Sequence, residues 1–309
     1  MNEPTDPINL SALRLFRMVA QLGSVTRAAD ALFVTQPAVS KAIGLLERST
    51  GLQLVRRSGK TIQITDAGQT LAKHADRIFN AADDAREAML EIAGLDQGRL
   101  VIGASTTIGN YLVPALLGAF HAAHPAITLA ARIGNTHDIL EDLRWLRVEI
   151  ALIEGETIDP EFVREPFETD ELVLLLPPAH PWCQREAVHL SDLRHVPFLP
   201  RELGSGTRHV VDHVFARHEV SPTIAMELGN SEAIKAAVIA GLGVSILSRL
   251  CVQADVEAGR LVTRPFVEQR VARELLLVQR AGDRLSPASL RFIALLRDRR
   301  TALANAGRA

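Results

Sequence analysis

Short polar side chains recur at one-turn spacing in FVTQPAVSKAIGLLE, residues 33–47. Gln36, Ser40 and Gly44 lie one helical turn apart, with Pro37 and Lys41 beside them. The apolar stripe of the same helix lies on another face, at Val39, Ala42, Ile43 and Leu46. The polar face combines hydrogen-bonding groups, a glycine and basic charge, so it suits close approach to a polar, anionic surface. A helix of this width fits the major groove of DNA.

Two preceding helices must position that face. Apolar residues at helical spacing predict the first helix in INLSALRLFRMVAQLG, ended by Gly23, and a second in VTRAADALF, capped by Ser24. Thr35 is the expected cap of the third helix, and Pro37 falls in its first turn, where the missing N–H costs no intrahelical bond. Two short helices joined by a tight turn, the second with a polar face, predict a helix-turn-helix.

A basic turn follows in GLQLVRRSGKTIQIT. Taken alone, Arg56, Arg57 and Lys60 could belong to a solvated hairpin. Next to a helix-turn-helix they favour a two-stranded wing that reaches phosphates or a minor groove. The net charge of the whole chain is -2, yet residues 10–65 carry six more basic than acidic side chains. This local charge is informative about an anionic partner, whereas the global charge is not.

A long helix is predicted from Thr65 to about Gly94. Its apolar residues recur at alternating steps of four and three, at Leu71, Ala75, Ile78, Ala82, Ala85, Met89 and Ile92. The alternative is a helix packed on its own domain. A sustained heptad with alanine-rich contacts favours pairing with a second copy of the chain, and we expect dimerisation here.

The remaining residues alternate short apolar runs with helical patterns, which predicts α/β architecture with largely parallel sheets. Such sheets bind ligands where strands end and helices begin. Four such junctions combine glycine with Ser, Thr or Asn, namely GASTTIGN (103–110), IGNT (133–136), LGSGTR (203–208) and LGNSE (228–232). Ordinary N-capping explains any one of them. Their recurrence favours a shared polar site for an anion.

The segments TQPAVSKAIGLLE and GLQLVRRSGKTIQITDAG, together with the long following helix, resemble the LysR-type transcriptional regulators. The resemblance covers nearly the whole chain and is strongest in residues 10–70. It implies a winged helix-turn-helix in residues 1–64 and a dimerisation helix in residues 65–94. It also implies that DNA is met by Thr35, Gln36, Pro37, Ser40 and Lys41, by the wing residues Arg56, Arg57 and Lys60, and near the backbone by Ser24, Thr26 and Arg27. Many relatives carry a longer polar residue at Gly44.

The resemblance further implies an effector-binding domain in residues 98–300, two-lobed like periplasmic binding proteins. Lobe one is expected in residues 99–166 and 266–300, and lobe two in residues 170–262. A small anionic effector would sit between them, held by Ser105, Thr106, Thr107, Thr136, Ser205, Gly206, Thr207 and Asn230. Arg208 could add a counter-charge or point outward. The sequence looks closest to regulators of sulfur assimilation or carbon fixation. Two dimers are expected to pair into a tetramer on an interrupted DNA operator.

Rival chemistry finds little support. GNSEA resembles a nucleophile elbow but lacks its last glycine, and no histidine follows, so Ser231 is expected to cap a helix. His209 and His213 have ligand spacing without a third ligand, so neither a metal nor another cofactor is expected. A solute-binding protein would need a signal peptide and no DNA-reading module, and a purely architectural DNA-binding protein would not need so large a second domain. Because no catalytic constellation is evident, we do not expect an enzyme. Two cysteines without paired spacing and no long apolar run lead us to expect a cytoplasmic protein.

Overall fold

The computed structural model describes residues 8–58, 61–92, 98–155 and 159–306. The chain divides into two compact units, residues 1–86 with 145–147, and residues 87–144 with 148–309. Of the predicted DNA-binding residues, Lys60 and the side chain of Arg57 lie outside the described part. None of the helices described is long and apolar enough to span a membrane.

The first unit is a winged helix-turn-helix followed by a long helix. Its elements are α1 (Leu10–Leu22), α2 (Val25–Ala31), α3 (Gln36–Thr50), β1 (Val55–Ser58), β2 (Thr61–Ile64) and α4 (Asp66–Ile92). The apolar stripes of the first three helices meet in one core that includes Leu13, Phe16, Val19, Ala28, Val39 and Leu46. Strands β1 and β2 pair antiparallel as the predicted wing.

Helix α4 changes its packing along its length. Leu71 and Ala75, the first two residues of the predicted heptad, pack into the winged-helix core. The next apolar position, Ile78, is 40% exposed, and Met89 is 60% exposed. The early heptad positions therefore serve the domain's own core. Only the later ones, Ile78, Ala82, Ala85 and Met89, leave an exposed apolar stripe, which we call the α4 seam.

The second unit alternates strands and helices. It begins with β3 (Gly98–Ser105), α5 (Thr106–Tyr111), α6 (Val113–Ala123), β4 (Ile127–Gly134), α7 (Thr136–Arg144), β5 (Ile150–Glu154) and β6 (Phe162–Leu176). It continues with β7 (Pro197–Phe198), α8 (Gly206–Arg217), β8 (Thr223–Ile224), α9 (Ser231–Ile239), β9 (Ser245–Ser248), α10 (Arg249–Glu257), β10 (Val262–Arg264), β11 (Val271–Arg280) and α11 (Pro287–Ala306).

Strand β6 joins two lobes. Its first part pairs antiparallel with β11, and its last residues pair with β9 and β10. In lobe one, β3 pairs parallel with β4 and β5. The expectation of largely parallel sheets is therefore wrong for this seven-stranded sheet, because the two long strands that link the lobes run antiparallel to their neighbours. Each lobe has its own apolar core, one around Ile102, Phe120 and Phe292 and the other around Leu174, Phe198 and Phe215.

Candidate nucleic-acid interface and effector site

The third helix forms as its caps predict. The Thr35 hydroxyl accepts a hydrogen bond from the backbone N–H of Ala38 at 3.4 Å, and Gly51 ends the helix in the left-handed conformation with φ of 68°. Its apolar stripe is buried, as expected, at Val39, Ala42, Ile43 and Leu46. Burying that stripe fixes the rotation of the helix, so the opposite face must point outward.

The outward face carries exposed polar and basic groups at Thr35, Gln36, Pro37, Ser40 and Lys41. A Cβ at Gly44, one turn beyond Ser40, would meet only the Arg48 guanidinium, at 3.4 Å. Because Gly44 has no side chain, the middle of this face leaves room for close approach by another molecule.

Helix α2 and the wing flank that face. The Ser24 hydroxyl accepts from the Arg27 N–H at 3.3 Å, which caps α2. Thr26 and Arg27 are exposed, and the Arg27 guanidinium donates to the Leu22 carbonyl. Arg56 on the wing is exposed. These residues can approach a phosphate backbone while Gln36 and Ser40 approach bases.

Glu47 ties the wing to the third helix, a role that sequence reasoning missed. Its Oε1 accepts from the backbone N–H groups of Leu54, at 2.9 Å, and Val55, at 3.3 Å. This one carboxylate thereby fixes the start of β1 relative to α3. A lone acidic residue in a basic segment was the available signal.

In the second unit, the effector-binding hydroxyls predicted in lobe one lie near the carboxyl ends of β3 and β4. Ser105 and Thr107 are each 1% exposed. The Ser105 hydroxyl donates to Glu154, and the Thr106 hydroxyl donates to the Gly134 carbonyl at 3.0 Å. The hydroxyl protons of Ser105 and Thr106 are thus already used inside the protein.

Lobe two approaches lobe one through the start of α8. The Gly206 N–H donates to the Thr136 hydroxyl at 3.2 Å, and the His137 N–H donates to the Gly204 carbonyl at 3.2 Å. A Cβ at Gly206 would lie 2.3 Å from the Glu154 carbonyl oxygen, so only glycine allows this approach. We call the region between these loops the interlobe cleft.

One hydroxyl at this junction has no partner. Ser205 is the N-cap residue of α8 and is 3% exposed, but its side chain makes no capping bond. Within the part of the chain that the structure describes, its buried Oγ has no hydrogen-bond partner. An unpaired buried hydroxyl is costly, so it identifies a position where a ligand atom can bind.

Buried ionic groups line the cleft, and the sequence patterns did not reveal them. Arg273 on β11 donates to Asp170 on β6 at 2.8 Å and to the Thr207 hydroxyl at 2.9 Å, and its Nη1 lies 3.7 Å from Glu154 Oε1. Burial raises the pKa of the Glu154 carboxyl, and Arg273 and Arg201 oppose that rise. The sequence patterns predicted hydroxyl groups and helix starts here, but not these buried charges.

Arg201 adds a second buried guanidinium. Its Nη1 donates to the Ser231 hydroxyl at 3.1 Å, and its Nε donates to Glu202 at 2.7 Å. Ser231 was expected to cap α9, but the cap is Asn230, whose Oδ1 accepts from the Ala233 N–H at 2.8 Å. Asn230 is exposed. Its role as an effector residue therefore stays a prediction.

Arg208 forms ion pairs with exposed carboxylates and also donates to the Arg201 carbonyl at 2.9 Å. Its guanidinium pairs with Asp212 at 2.7 Å and with Glu227 at 3.1 Å. Of the two roles considered from the sequence, the surface ion pair is the one formed. His209 and His213 are exposed, and the described residues contain no group of three or more His, Cys, Asp or Glu side chains that could hold a metal.

A second set of polar contacts joins the lobes beside the cleft. The Tyr111 hydroxyl on α5 donates to Glu232 on α9, and the Lys235 ammonium donates to the same hydroxyl at 3.3 Å. Lys235 also pairs with Asp255 at 2.8 Å. Burial lowers the pKa of Lys235, but its hydrogen bonds to Asp255 and Glu232 outweigh burial and leave the pKa raised. The Lys235 cation is therefore held firmly at this junction.

The arrangement is matched by two family models. Residues 10–69 match the bacterial regulatory helix-turn-helix protein of the lysR family, and residues 93–301 match the LysR substrate binding domain. This chain belongs to the LysR family. It is a DNA-binding transcriptional regulator with an effector-binding domain, and the match supports neither a solute-binding protein nor an enzyme.

Relatives of this LysR regulator extend over nearly its full length. The HTH-type transcriptional regulator YeiE of Escherichia coli is 37% identical over 93% of this chain and 96% of its own. The RuBisCO operon transcriptional regulator of Allochromatium vinosum is 33% identical over 92% of this chain and 94% of its own. The solved regulatory domain of CcmR from Synechocystis, in complex with 2-PG, covers 65% of this chain and 97% of its own, with 29% identity and a TM-score of 0.62. The predicted likeness to carbon-fixation regulators is confirmed.

Proposed function

We propose that residues 1–64 of this LysR regulator read a DNA operator and that residues 65–94 join two copies. In the same proposal, residues 98–300 bind a small anionic metabolite in the interlobe cleft. The exposed face of α3, led by Gln36 and Ser40, reads base edges. The basic wing residue Arg56 and the α2 residue Arg27 attract phosphates. Ser24, Thr26, Thr35, Pro37, Lys41, Arg57 and Lys60 complete the proposed DNA interface.

The α4 seam supports a dimer. In the single chain, Ile78 and Met89 expose much of their apolar side chains, although both lie on one heptad stripe. Pairing with the same stripe of a second copy would remove this surface from water. A dimer presents two third helices to two half-sites, and pairing of two dimers through their effector domains gives the proposed tetramer.

The observation that carries the effector proposal is the buried Ser205 hydroxyl, which has no partner among the described residues and lies next to Gly206, where the two lobes meet. Ser205 and Gly206 open a 12-residue helix, whose first N–H groups favour an anion. Two buried guanidinium groups, Arg201 and Arg273, lie near by. The complex of the CcmR regulatory domain with 2-PG supports a small metabolite as the class of effector.

Around this position we group the remaining effector residues, Ser105, Thr106, Thr107, Thr136, Thr207 and Asn230. A ligand that touches both lobes can shift the equilibrium between their arrangements, by as much as its affinity differs between them. Such a shift is the proposed origin of the effector's control over operator binding.

Two matched serines test this proposal. Ser205→Ala removes a hydroxyl that has no partner among the residues the structure describes, so effector binding should weaken by about 1–3 kcal/mol while the free energy of unfolding stays nearly constant. Ser245→Ala removes a buried hydroxyl that donates to the Leu199 carbonyl at 2.6 Å, so it should cost stability but not affinity. Calorimetry with 2-PG, phosphorylated sugars and sulfur oxyanions measures the affinity. Binding of apolar or cationic compounds alone would exclude an anionic effector.

A further inference from the structure

The Glu154 side chain occupies the place where the two lobes meet. It ends β5, is 2% exposed, and receives a hydrogen bond from Ser105 in its own lobe. From lobe two, Gly206 packs so closely that an added Cβ would lie 2.8 Å from Glu154 Cγ. A ligand that bridges Ser105 and the start of α8 must therefore contact this carboxyl group.

The buried arginines are already matched by other carboxylates. Arg273 holds Asp170 at 2.8 Å, and Arg201 holds Glu202 at 2.7 Å through Nε and at 2.8 Å through Nη2. Arg273 reaches Glu154 only at 3.7 Å. Glu154 is thus the carboxyl group in excess, and in its ionised form it repels an incoming anion.

An oxyanion next to Glu154 needs a proton between the two groups. Two ionised oxygens cannot hydrogen-bond to each other, and burying them in contact is costly. A hydroxyl carried by the anion removes that conflict, because it donates to the carboxylate. The remaining oxygens of the anion can then accept from the Ser205 hydroxyl, which lacks a partner among the described residues, and from the backbone N–H groups of α8.

We propose that Glu154 determines which effectors bind, by accepting a hydrogen bond from an acidic hydroxyl of the bound oxyanion. This rests on the proposed binding of an anion in the interlobe cleft. The preferred class is oxyanions that keep an O–H group at neutral pH, with hydrogen phosphate as the simplest example. Fully ionised oxyanions of the same shape, such as sulfate, are excluded unless Glu154 itself carries the proton.

The proposal predicts that the affinity for sulfate depends on pH and that the affinity for phosphate does not. Charged groups that act on Glu154 are Arg273 on β11, Asp170 on β6 and Arg201 after β7. Burial raises the pKa of Glu154 against the two arginines, so protonation is accessible as the pH falls. Sulfate binding takes up one proton, and its affinity should rise by about tenfold per pH unit lowered, while Glu154 is ionised in the free protein. Phosphate brings its own hydroxyl and should show no such rise between pH 8 and 9.

Calorimetry on the full-length protein with inorganic phosphate and sulfate, at pH 8 and matched ionic strength, tests the selectivity. The wild type should prefer phosphate by at least about 100-fold, because a site built to accept a hydrogen bond rejects a ligand without the donor. Glu154→Gln supplies an amide donor and should bring the two affinities within about tenfold of each other. Glu165→Gln, on an exposed pair with Arg297 at 2.7 Å, is the matched control and should keep the wild-type ratio.

Equal affinities for the two anions in the wild type, or an unchanged ratio in Glu154→Gln, would overturn the role of Glu154 and leave the anion proposal standing. If phosphate, sulfate and 2-PG all fail to bind either protein, the anionic effector itself is wrong and the inference falls with it. The wild-type pH series needs no variant to fold, and a sulfate affinity that is constant from pH 8 to pH 6 in a protein that prefers phosphate over this range would refute the shared proton.

Discussion

Replacing Arg273 with methionine should strongly destabilise the effector-binding domain. The guanidinium is 5% exposed and contacts Asp170 at 2.8 Å, Thr207 at 2.9 Å and Glu154 at 3.7 Å. Methionine fills much of the volume but leaves the buried Asp170 without its cation and removes a positive charge from beside Glu154. Removing one partner of a buried ion pair costs about 3–5 kcal/mol. That is a large share of the roughly 5–15 kcal/mol that holds a domain folded.

The loss of stability in Arg273→Met should also depend on pH. The folded-state pKa of Glu154 is raised by burial, so the stability tied to its protonation is present at low pH and is lost as pH rises through that pKa. Arg273 opposes the rise in the wild type, so Arg273→Met raises the pKa further. The stability deficit of the variant should therefore be largest at pH values above the folded-state pKa of Glu154 and shrink as the pH falls through it.

Urea unfolding measures both quantities. The chain has two tryptophans, so a Trp145→Phe background confines the fluorescence to Trp182, which is buried in lobe two. Arg297→Met is the matched control, because this arginine is 62% exposed and its pair with Glu165 should contribute no more than about 1 kcal/mol. A deficit for Arg273→Met as small as that of the control, or one that grows as the pH falls, would refute the reasoning.

Three further variants address DNA binding and assembly. Gln36→Ala should lose about 1–3 kcal/mol on the specific operator and little on random DNA, whereas Arg56→Ala should weaken both and flatten the salt dependence. Titrations at several salt concentrations decide this, and equal losses on both DNAs for Gln36→Ala would exclude base reading. Glu at both Ile78 and Met89 places like charges in the α4 seam, so operator affinity should fall while the C-terminal domain stays folded. An unchanged dimer in sedimentation would place the interface elsewhere.

Local patterns predicted the DNA-binding half well. These features act over one or two helical turns, so residues close together in the sequence are enough to predict them. They are the buried stripe that includes Val39 and Leu46, the cap at Thr35 and the left-handed Gly51. The alternation of strands and helices was also predicted from Arg99 onward. The first half of β6, the whole of β11 and the last helix, α11, were not predicted as elements.

Contacts far apart in the chain were missed for a physical reason. Arg273 and Asp170 are 103 residues apart, and they meet only because β6 and β11 pair in register. Each looks like an ordinary surface charge in its own segment, so no local periodicity marks it as buried. The hydroxyl-rich junctions were visible from sequence, but the charged groups beneath them depend on the tertiary fold.

The pairing of β6 with β11 sets where the lobes can pivot. Asp170 and Arg273 are directly opposite each other in this ladder, and their ion pair fastens the two strands at that point. A rotation of one lobe against the other then turns about this fixed point, and displacement grows with distance from it. Side chains bound near the axis, including Glu154, move little. The Tyr111–Lys235 hydrogen bond between α5 and α9 lies outside this ladder, so a rotation of one lobe against the other would have to stretch or break it.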